Sequence, residues 1–163
     1  MNPLSTCDLC DAQRDDSSGG LRVLAPPWHS FGARPACHGP VSTVHCFEDN
    51  SLVRAALEEP GAGRVLVVAG GGSMRTALLG GNLAALAARN AWAGVVVDGC
   101  VRDRAELAAA AVAVFARALC PMPPAKHGQG RRDIAVQIGA VWVRPGEFLA
   151  ADADGIVVLT GSP

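Results

Sequence analysis

The sequence predicts an α/β fold, and three features of the chain lead to this prediction. Continuous apolar runs at 64–69 and 94–98 are typical of strands that are buried on both faces of a parallel sheet. A segment with helical spacing of apolar residues, 82–90, lies between these two strands. The chain has 163 residues, of which 50% are hydrophobic, so it can bury one continuous core but is too short for two. We therefore expect a single domain over residues 1–163, built from alternating strands and helices.

The first third of the chain predicts short elements separated by irregular segments. Thr6 can cap a helix that ends near Ala12, and the residues at 21–24 indicate a short strand. Two consecutive prolines exclude a regular helix or a central strand from the segment 26–32. The segment 41–46 is rich in β-branched residues, which favours an extended conformation.

The middle of the chain begins with a predicted helix, a strand and a glycine turn. Asn50 or Ser51 caps the helix, which runs to about Glu59, and the buried strand 64–69 follows. Three glycines at 70–72 come directly after that strand. They can either present backbone N–H groups to an anion or allow close packing of the backbone, and the sequence leaves both interpretations open.

Two further strands and two helices are predicted after this turn. The helix 82–90 leads to the strand 94–98, which we expect to end at Asp98. After a corner at 102–103, an alanine-rich helix runs to about Ala110 and a strand lies around 112–115.

The last part of the chain predicts a long loop and antiparallel strands. Residues 119–131 are rich in proline and glycine and contain the only lysine, Lys126. The segments 133–138 and 141–143 alternate like the two strands of a hairpin, and the last strand covers 156–159.

Charge and hydropathy exclude several classes of function. The net charge is −1 and the arginines are scattered, so no basic surface favours nucleic acid. No apolar run approaches the roughly 20 residues that a membrane helix needs, and no apolar segment of a signal peptide follows Met1. We therefore expect a cytoplasmic protein without a nucleic-acid or membrane partner. The six cysteines are expected to be mostly buried thiols, because Cys7 and Cys10 form only half of a zinc motif.

Residues 80–106 hold the features that predict a functional site. Gly80 and Gly81 leave the first N–H groups of the following helix uncovered, and such a helix start attracts a carboxylate or a phosphate. Arg102 and Asp103 follow the next strand, and Glu106 comes one turn later. In α/β folds, ligand sites lie at the ends of neighbouring elements of this kind.

The acidic residues of this segment allow two interpretations. Asp103 and Glu106 have the spacing of a capping box, in which each acid only satisfies N–H groups at the start of its own helix. Asp98 could likewise be an ordinary turn residue. Alternatively, the acids bind Mg²⁺ or Mn²⁺, which need only one or two carboxylates from the protein. Arg102 would then hold a substrate carboxylate or an enolate oxygen in a charge-assisted hydrogen bond.

Seven stretches of the sequence resemble the family of the regulator of ribonuclease E activity A and the related 4-hydroxy-4-methyl-2-oxoglutarate aldolases. They occur in the family's order over nearly the whole chain. These stretches are 39–44 (GPVSTV), 46–50 (CFEDN), 64–68 (RVLVV), 70–75 (GGGSMR), 80–84 (GGNLA), 99–103 (GCVRD) and 151–156 (ADADGI).

This resemblance implies a swivelling β/β/α three-layer fold and a homotrimer with its sites between subunits, either alone or as two stacked trimers. It also implies divalent-metal-dependent chemistry on pyruvate-like acids. By position, Asp103 would bind the metal, and Arg102 would bind the substrate and stabilise an enolate. The substrate carboxylate would be held by N–H groups around four residues at the helix start, Gly80, Gly81, Asn82 and Leu83.

One position departs from the usual pattern of the aldolases in this family. They generally have aspartate at the position of Gly81, followed after twenty residues by Arg-Asp. Some relatives instead have glycine there and a glutamate after Arg-Asp and two further residues, and Gly81, Arg102, Asp103 and Glu106 match that version. Glu106 is therefore expected to be the second carboxylate of the metal site. The chain ends soon after Leu159, so an acid that a neighbouring subunit's C-terminal extension supplies in longer aldolases is expected to be absent.

The resemblance leads to a metal-dependent lyase of short 2-oxo acids that gives pyruvate through an enolate. Its reaction would be cleavage of 4-hydroxy-4-methyl-2-oxoglutarate, decarboxylation of oxaloacetate, or both. The alternative is a non-catalytic regulator that binds and inhibits ribonuclease E. Asp103 favours catalysis, because regulators of that kind can lack the aspartate after the arginine. A Schiff-base aldolase would have to use Lys126, to which the sequence gives no activating neighbour.

Overall fold

The computed structural model describes residues 4–163 of the chain. Within this part, the chain folds into four short helices and twelve strands. The helices are α1 (Thr6–Ala12), α2 (Ser51–Leu57), α3 (Gly81–Arg89) and α4 (Arg104–Ala109). The strands are β1 (Leu21–Val23), β2 (His29–Ser30), β3 (Cys37–His45), β4 (Val65–Ala69), β5 (Ala77–Leu79), β6 (Gly94–Val101), β7 (Ala113–Leu119), β8 (Arg131–Arg132), β9 (Val136–Ile138), β10 (Val141–Val143), β11 (Phe148–Ala151) and β12 (Ile156–Leu159).

The centre of the fold is a parallel sheet of four strands in the order β3, β4, β6 and β7. Every residue of β4 and β6 is buried, as their continuous apolar runs predicted. Strands that are buried on both faces need a covering layer on each side of the sheet. In this fold, helices cover one side and further strands cover the other.

The strand β3 joins the parallel sheet to this second group of strands. Its first half, Cys37–Pro40, pairs antiparallel with β11, which continues to β12 and β1. Its second half, Val41–His45, pairs in parallel with β4. The nine residues of β3 therefore belong to both layers of strands.

Two hydrophobic clusters separate the three layers. One cluster lies between the parallel sheet and the helices α2 to α4, and it includes Leu83 and Leu107. The other lies between the two groups of strands, and it includes Phe115 and Val158. The layers therefore follow the order strands, strands, helices, which confirms the predicted β/β/α fold.

The end of β6 differs from the prediction in a way that matters for the site. β6 runs to Val101, so Asp98 lies inside the strand rather than at its end. The three residues of β5 are too few to show a pattern in the sequence, yet they pair with the last part of β6. The N–H of Arg102 then donates to the carbonyl oxygen of Leu79 at 3.0 Å. This pairing brings the residues that follow both strands to the same edge of the sheet.

One helix start differs from the prediction, and a second agrees with it in position only. Ser5, rather than Thr6, caps α1, because its Oγ accepts the N–H of Asp8 at 3.3 Å. Thr6 instead donates its N–H and its hydroxyl to the carboxylate of Asp152, at 2.8 and 2.7 Å. Asn50 occupies the capping position of α2, but its side chain makes no capping hydrogen bond.

The remaining strands agree with the sequence or are too short to be recognised in it. The predicted strands at 21–24, 41–46 and 156–159 appear as β1, part of β3 and β12, and β9 and β10 form the predicted hairpin. The segment 26–32 contains the two-residue strand β2, which pairs with β7. No helix within residues 4–163 has both the length and the apolar character that spanning a bilayer would require.

Candidate active site

A cavity of about 80 Å³ lies where β5, the end of β6 and the start of α3 meet. The side chains and backbone that form it come from these elements, from α2 and from the loop that follows β7. Its lining residues are Asn50, Arg54, Ala77, Leu79, Gly80, Asn82, Leu83, Arg102, Asp103, Pro124 and Lys126. The cavity therefore unites the predicted helix start with the predicted Arg-Asp corner.

The start of α3 presents uncovered backbone donors to the cavity. Gly80 stands at the capping position and has no side chain that could accept these N–H groups. The N–H of Gly81 donates to Oδ2 of Asp103 at 3.0 Å. Within residues 4–163, the N–H groups of Asn82 and Leu83 have no acceptor, and they lie at the positive end of the helix dipole. These two donors can hold a carboxylate.

Asp103 does not form the capping box that its spacing with Glu106 allows. It precedes α4, but its side chain makes no hydrogen bond to that helix. Its backbone is left-handed, with φ 63° and ψ 51°, a conformation that aspartate tolerates better than most residues. The carboxylate instead reaches the N–H of Gly81 in α3. The structure thus contradicts the capping-box interpretation, and Asp103 connects the two halves of the site.

Arg102 lies half-buried at the end of β6, directly before this turn. Its Nη1 donates to the carbonyl oxygen of Pro121 at 3.4 Å, which is a long hydrogen bond. No carboxylate within residues 4–163 forms an ion pair with its guanidinium. Most of its N–H groups are therefore available to an anionic ligand.

The glycines at 80 and 81 leave room for two carboxylates. A Cβ atom on Gly81 would lie 2.6 Å from Cβ and 2.8 Å from Cδ of Glu106, closer than real Cβ atoms come. A Cβ atom on Gly80 would lie 2.5 Å from Oδ2 of Asp103. The side chains of Glu106 and Asp103 thus fill the space that side chains at 80 and 81 would need. Both carboxylates lie against the same stretch of backbone.

Two other candidates from the sequence lie outside this cavity. Asp98 accepts a hydrogen bond from Nε of Arg117 at 3.0 Å, so its carboxylate is already paired. The glycines at 70–72 are not among the residues that line the cavity. A Cβ atom on Gly70 would lie 2.7 Å from the carbonyl oxygen of Asp98, which favours the close-packing interpretation at this position.

The cavity also contains two cations that sequence analysis did not assign to the site, Arg54 and Lys126. Arg54 projects from α2, and Nη1 of its guanidinium lies 4.0 Å from the nearest acid, Glu58. Together with Arg102, they give the cavity three positive charges against the carboxylate of Asp103. This balance favours a ligand with more than one negative charge.

Asp49 holds the loop that carries Lys126. Its Oδ1 accepts the N–H and the hydroxyl of Ser51, at 2.9 and 2.7 Å. Its Oδ2 accepts the N–H groups of His127 and Gln129, at 2.7 and 3.4 Å. Because Asp49 is 1% exposed, these four hydrogen bonds fix the start of α2 and the loop to one buried carboxylate.

The same hydrogen bonds make the stability of the protein sensitive to acid. Burial alone would raise the pKa of Asp49, but the donors of Ser51, His127 and Gln129 outweigh it and lower the pKa from 3.8 to about 2. The stabilisation is therefore complete above about pH 4 and is lost as the pH falls towards 2, and it amounts to about 2 kcal/mol.

We predict that Asp49→Asn destabilises the protein by about 2 kcal/mol at pH 7, because the amide cannot accept from both sets of donors. Urea unfolding at pH 7, 4 and 3 measures this, and the difference between wild type and variant should shrink as the pH falls below 4. Ser51→Ala, which removes one of the four donors, serves as the milder control. A difference that does not change with pH would contradict the lowered pKa.

The cysteines form no recognisable metal site in the described part of the chain. All six are free, and Cys37, Cys46 and Cys100 are buried. Within residues 4–163, no three side chains of histidine, cysteine, aspartate or glutamate cluster as metal ligands would. Asp103 and Glu106 are a pair of carboxylates rather than such a cluster.

Comparison with known proteins assigns the chain to a family. The family model described as RraA-like, Aldolase/RraA, matches residues 6–158. The chain belongs to the RraA-like family. This confirms the resemblance that the sequence motifs indicated, and the match includes every residue of the cavity described above.

Similar RraA-like proteins carry names from different functional classes. A protein of Albidiferax ferrireducens, provisionally named 4-hydroxy-4-methyl-2-oxoglutarate aldolase, is 56% identical over 99% of this chain and 98% of its own. The solved structure of the RNA-processing inhibitor RraA from Thermus thermophilis has a TM-score of 0.92 at 46% identity, over 99% of this chain and 95% of that one. A structure from Geobacillus kaustophilus, named S-adenosylmethionine: 2-dimethylmenaquinone methyltransferase, has a TM-score of 0.90 at 45% identity. The match covers 98% of this chain and 96% of that one. The fold is therefore shared, and the function must be argued from the site.

Proposed function

We propose that this protein is a divalent-metal-dependent lyase that acts on short 2-oxo acids and releases pyruvate through an enolate. The observation that carries the proposal is the hydrogen bond from the N–H of Gly81 to Asp103 at 3.0 Å. It joins the Arg102–Asp103 corner to the open start of α3 within one cavity. A relative of 56% identity that is provisionally named an aldolase supports the same conclusion.

The two carboxylates of the site fit Mg²⁺ or Mn²⁺. Oδ2 of Asp103 is engaged by Gly81, while Oδ1 accepts no hydrogen bond from residues 4–163. Glu106 is exposed and likewise has no hydrogen-bond partner among these residues. Mg²⁺ keeps several waters and takes only one or two carboxylates, so Asp103 and Glu106 are a sufficient set. When bound, the cation supplies positive charge beside the oxygen that becomes negative in the reaction.

The protein's own groups bind and orient the 2-oxo acid. The N–H groups of Asn82 and Leu83 would hold the substrate carboxylate at the start of α3. Arg102 would donate to the 2-oxo oxygen, and this bond strengthens as the oxygen gains charge in the transition state. A donor of this kind contributes on the order of 3 kcal/mol to catalysis.

Both candidate reactions break the same bond and give the same enolate. In 4-hydroxy-4-methyl-2-oxoglutarate, the C3–C4 bond breaks, the 4-hydroxyl loses its proton, and one pyruvate leaves together with one pyruvate enolate. In oxaloacetate, the C3–C4 bond breaks and CO₂ leaves with the same enolate. Protonation at C3 completes pyruvate in either case, so one site that stabilises the enolate oxygen serves both reactions.

The experiment that tests this proposal is an assay of pyruvate release by the purified protein from both substrates. Each reaction is run with Mg²⁺, with Mn²⁺ and with EDTA, and the rate with metal alone is subtracted. Metal-dependent release above that background is expected, and the ratio of the two rates identifies the better substrate. Release that is unaffected by EDTA would contradict metal dependence, and no release would contradict the lyase.

Binding and inhibition of ribonuclease E is the second candidate function. The solved structure of an RNA-processing inhibitor at 46% identity favours it. A pure interaction protein needs no metal. If the protein has a metal site, a cation at 100 times its Kd raises the free energy of unfolding by about 2.7 kcal/mol. Thermal unfolding with MgCl₂, MnCl₂ and NaCl at matched ionic strength separates the two candidates, because only a metal site responds to the divalent ion specifically.

The assembly of the protein is part of the same proposal. We expect a homotrimer, alone or as two stacked trimers, because the resemblance implies sites between subunits. Light scattering coupled to size-exclusion chromatography measures the mass, and a monomer would contradict this expectation. Location in the cytoplasm also stays a prediction.

The contact between Gly81 and Glu106 leads to a prediction about the metal site. We predict that Gly81→Asp lowers metal affinity and activity, because the new Cβ would overlap Glu106 and the overpacking costs about 1–3 kcal/mol. The double variant Gly81→Asp/Glu106→Gly removes both the Cβ atom and the carboxylate of residue 106, and with them the overlap, while aspartate at 81 supplies a second carboxylate. It should therefore recover much of the loss. Calorimetric titration with Mn²⁺ measures the affinities. Equal affinity of the single and double variants would show that Glu106 does not occupy the space beside Gly81.

A further inference from the structure

We propose that a groove beside the hairpin of β9 and β10 binds a free purine nucleotide, with adenine as the preferred base. The groove has a volume of about 330 Å³ and shares no lining residue with the active-site cavity. The proposal goes beyond the lyase reaction and does not depend on it. The residues that line the groove are His45, Arg131, Ile134, Ala135, Val136, Gln137 and Trp142.

The groove and the active-site cavity lie on opposite faces of the parallel sheet. Leu79 and Leu83, which line the cavity, belong to the cluster between the sheet and the helices, as does Val44 of β3. His45 follows Val44 directly, and successive side chains of a strand point to opposite faces. Val136 of the groove packs in the other cluster, between the two groups of strands. A ligand in the groove would therefore not occupy the place of the 2-oxo acid.

Two cross-strand pairs supply the polar and aromatic side chains of the groove. His45 lies opposite Arg131 in the antiparallel pairing of β3 with β8. Gln137 lies opposite Trp142 in the hairpin. Directly opposite residues have Cβ atoms about 4.5–5.5 Å apart, so the two members of a pair can contact the same group of a ligand.

Arg131 is the cation of the groove. It is exposed, and no acid within residues 4–163 forms an ion pair with it. Its neighbour Arg132 is bound instead, because Glu59 accepts two hydrogen bonds of 2.9 Å from its guanidinium. The donors of Arg131 are thus available, and their planar arrangement suits the oxygens of a phosphate. A ring N–H of His45 can add a further donor.

Trp142 and Gln137 match the face and the edge of a nucleobase. Trp142 is 46% exposed, and a base that stacks on an accessible aromatic ring gains affinity. The amide of Gln137 offers a donor and an acceptor, which is the combination that pairs with N7 and N6 of adenine. An aromatic carboxylate would leave Gln137 unused, so the groups together favour a nucleotide. The net charge of −1 and the scattered arginines offer no track for an RNA backbone, which favours the free nucleotide.

The backbone under the groove is held in place by contacts with β3. Oγ1 of Thr43 donates to the carbonyl oxygen of Ile134 at 2.6 Å, and the N–H of Asp133 donates to the carbonyl oxygen of Thr43 at 3.0 Å. A Cβ atom on Gly130 would lie 2.5 Å from the carbonyl oxygen of His45, so glycine allows the chain to approach β3 closely at the start of β8. The groove is therefore largely formed before a ligand arrives, as binding sites for small molecules usually are.

The test is calorimetric titration of the purified protein with adenosine 5′-phosphate in the presence of EDTA. Adenosine, which lacks the phosphate, and ribose 5-phosphate, which lacks the base, are titrated in parallel. Cytidine 5′-phosphate keeps the phosphate but changes the base. We expect adenosine 5′-phosphate to bind more tightly than each of the other three compounds.

Each side chain of the groove should affect a different part of the ligand. Trp142→Ala should weaken the binding of adenosine 5′-phosphate about tenfold or more, whereas Trp142→Phe, which keeps an aromatic face, should retain most of the affinity. Arg131→Ala should weaken the same ligand about tenfold and leave the binding of adenosine unchanged. Gln137→Ala should reduce the preference for adenosine 5′-phosphate over cytidine 5′-phosphate.

Two matched controls remove similar side chains outside the groove. Phe47→Ala removes an aromatic ring that is 56% exposed, and Lys126→Ala removes a cation from the active-site cavity. Neither should change the affinity for adenosine 5′-phosphate. Circular dichroism tests whether every variant remains folded.

Several results would overturn the proposal. If ribose 5-phosphate binds as tightly as adenosine 5′-phosphate, or if the nucleotide does not bind at millimolar concentration, the groove is not a nucleotide site. If Lys126→Ala abolishes binding while Trp142→Ala does not, the nucleotide occupies the active-site cavity instead. An oligoadenylate that binds more tightly per nucleotide than adenosine 5′-phosphate would contradict the assignment to a free nucleotide. Weakened binding in the Trp142→Ala and Arg131→Ala variants, with both controls unchanged, is the result that supports the proposal.

Discussion

Replacing Asp103 with alanine is expected to reduce pyruvate release from oxaloacetate to the background of free metal. The carboxylate is exposed and packs in no hydrophobic cluster, so its removal should leave the fold intact. Its carboxylate accepts a hydrogen bond from the N–H of Gly81, and its proposed role is to bind the metal. Loss of a ligand from a set of two carboxylates leaves too little charge to retain the cation. Pyruvate formation is followed by coupling to lactate dehydrogenase.

Asp103→Asn separates the charge of this residue from its hydrogen bond. Asparagine can still accept the N–H of Gly81 and tolerates the left-handed backbone at this position. If it is as inactive as Asp103→Ala, the negative charge is what the reaction needs. If Asp103→Ala turns over normally, Asp103 is not the metal ligand. Circular dichroism and the mass in solution test whether both variants remain folded and assembled.

Replacing Arg102 with alanine is the second large effect, and we expect it to cost about 3 kcal/mol of transition-state stabilisation. This corresponds to a loss of more than about a hundredfold in kcat/KM. The loss should appear mainly in kcat, because the guanidinium donates most strongly to the oxygen once it carries the charge of the enolate. Steady-state kinetics with saturating Mg²⁺ measure both constants.

Arg102→Lys tests whether geometry matters as well as charge. Lysine keeps the charge but loses the planar arrangement of donors, so partial activity is expected. Because Arg102 makes only a 3.4 Å hydrogen bond to Pro121, neither variant should change the melting temperature by much. A change confined to KM would mean that the arginine binds the substrate without stabilising the enolate.

The strands and the central helix of this fold could be predicted because their patterns are local. The apolar runs of β4 and β6 and the helical spacing of α3 each lie within ten residues. The Arg102–Asp103 corner could also be found, since a charged pair after a buried strand is visible in the sequence. What the sequence could not show is the left-handed turn at Asp103, which decides between a capping box and a bond to α3.

The presence of Arg54 and Lys126 in the cavity was not predictable, because it depends on contacts between distant parts of the chain. Arg54 reads as a surface residue of an amphipathic helix, and Lys126 as part of a flexible loop. Asp49 and His127 are 78 residues apart, yet their hydrogen bond places Lys126 in the cavity. Asp98 illustrates the opposite error, because its pairing with Arg117 removes a carboxylate that looked free in the sequence.

The overlap between a side chain at position 81 and Glu106 also limits the routes by which sequences of this family can diverge. Aspartate at 81 and glutamate at 106 compete for one volume, so their effects on fitness must depend on each other. A lineage that passes from one arrangement to the other has to cross an intermediate with either crowded acids or a single acid. Reversion becomes harder once neighbouring positions adapt to the new acid. The two versions of the motif should therefore persist as separate branches of the family tree rather than interchange freely.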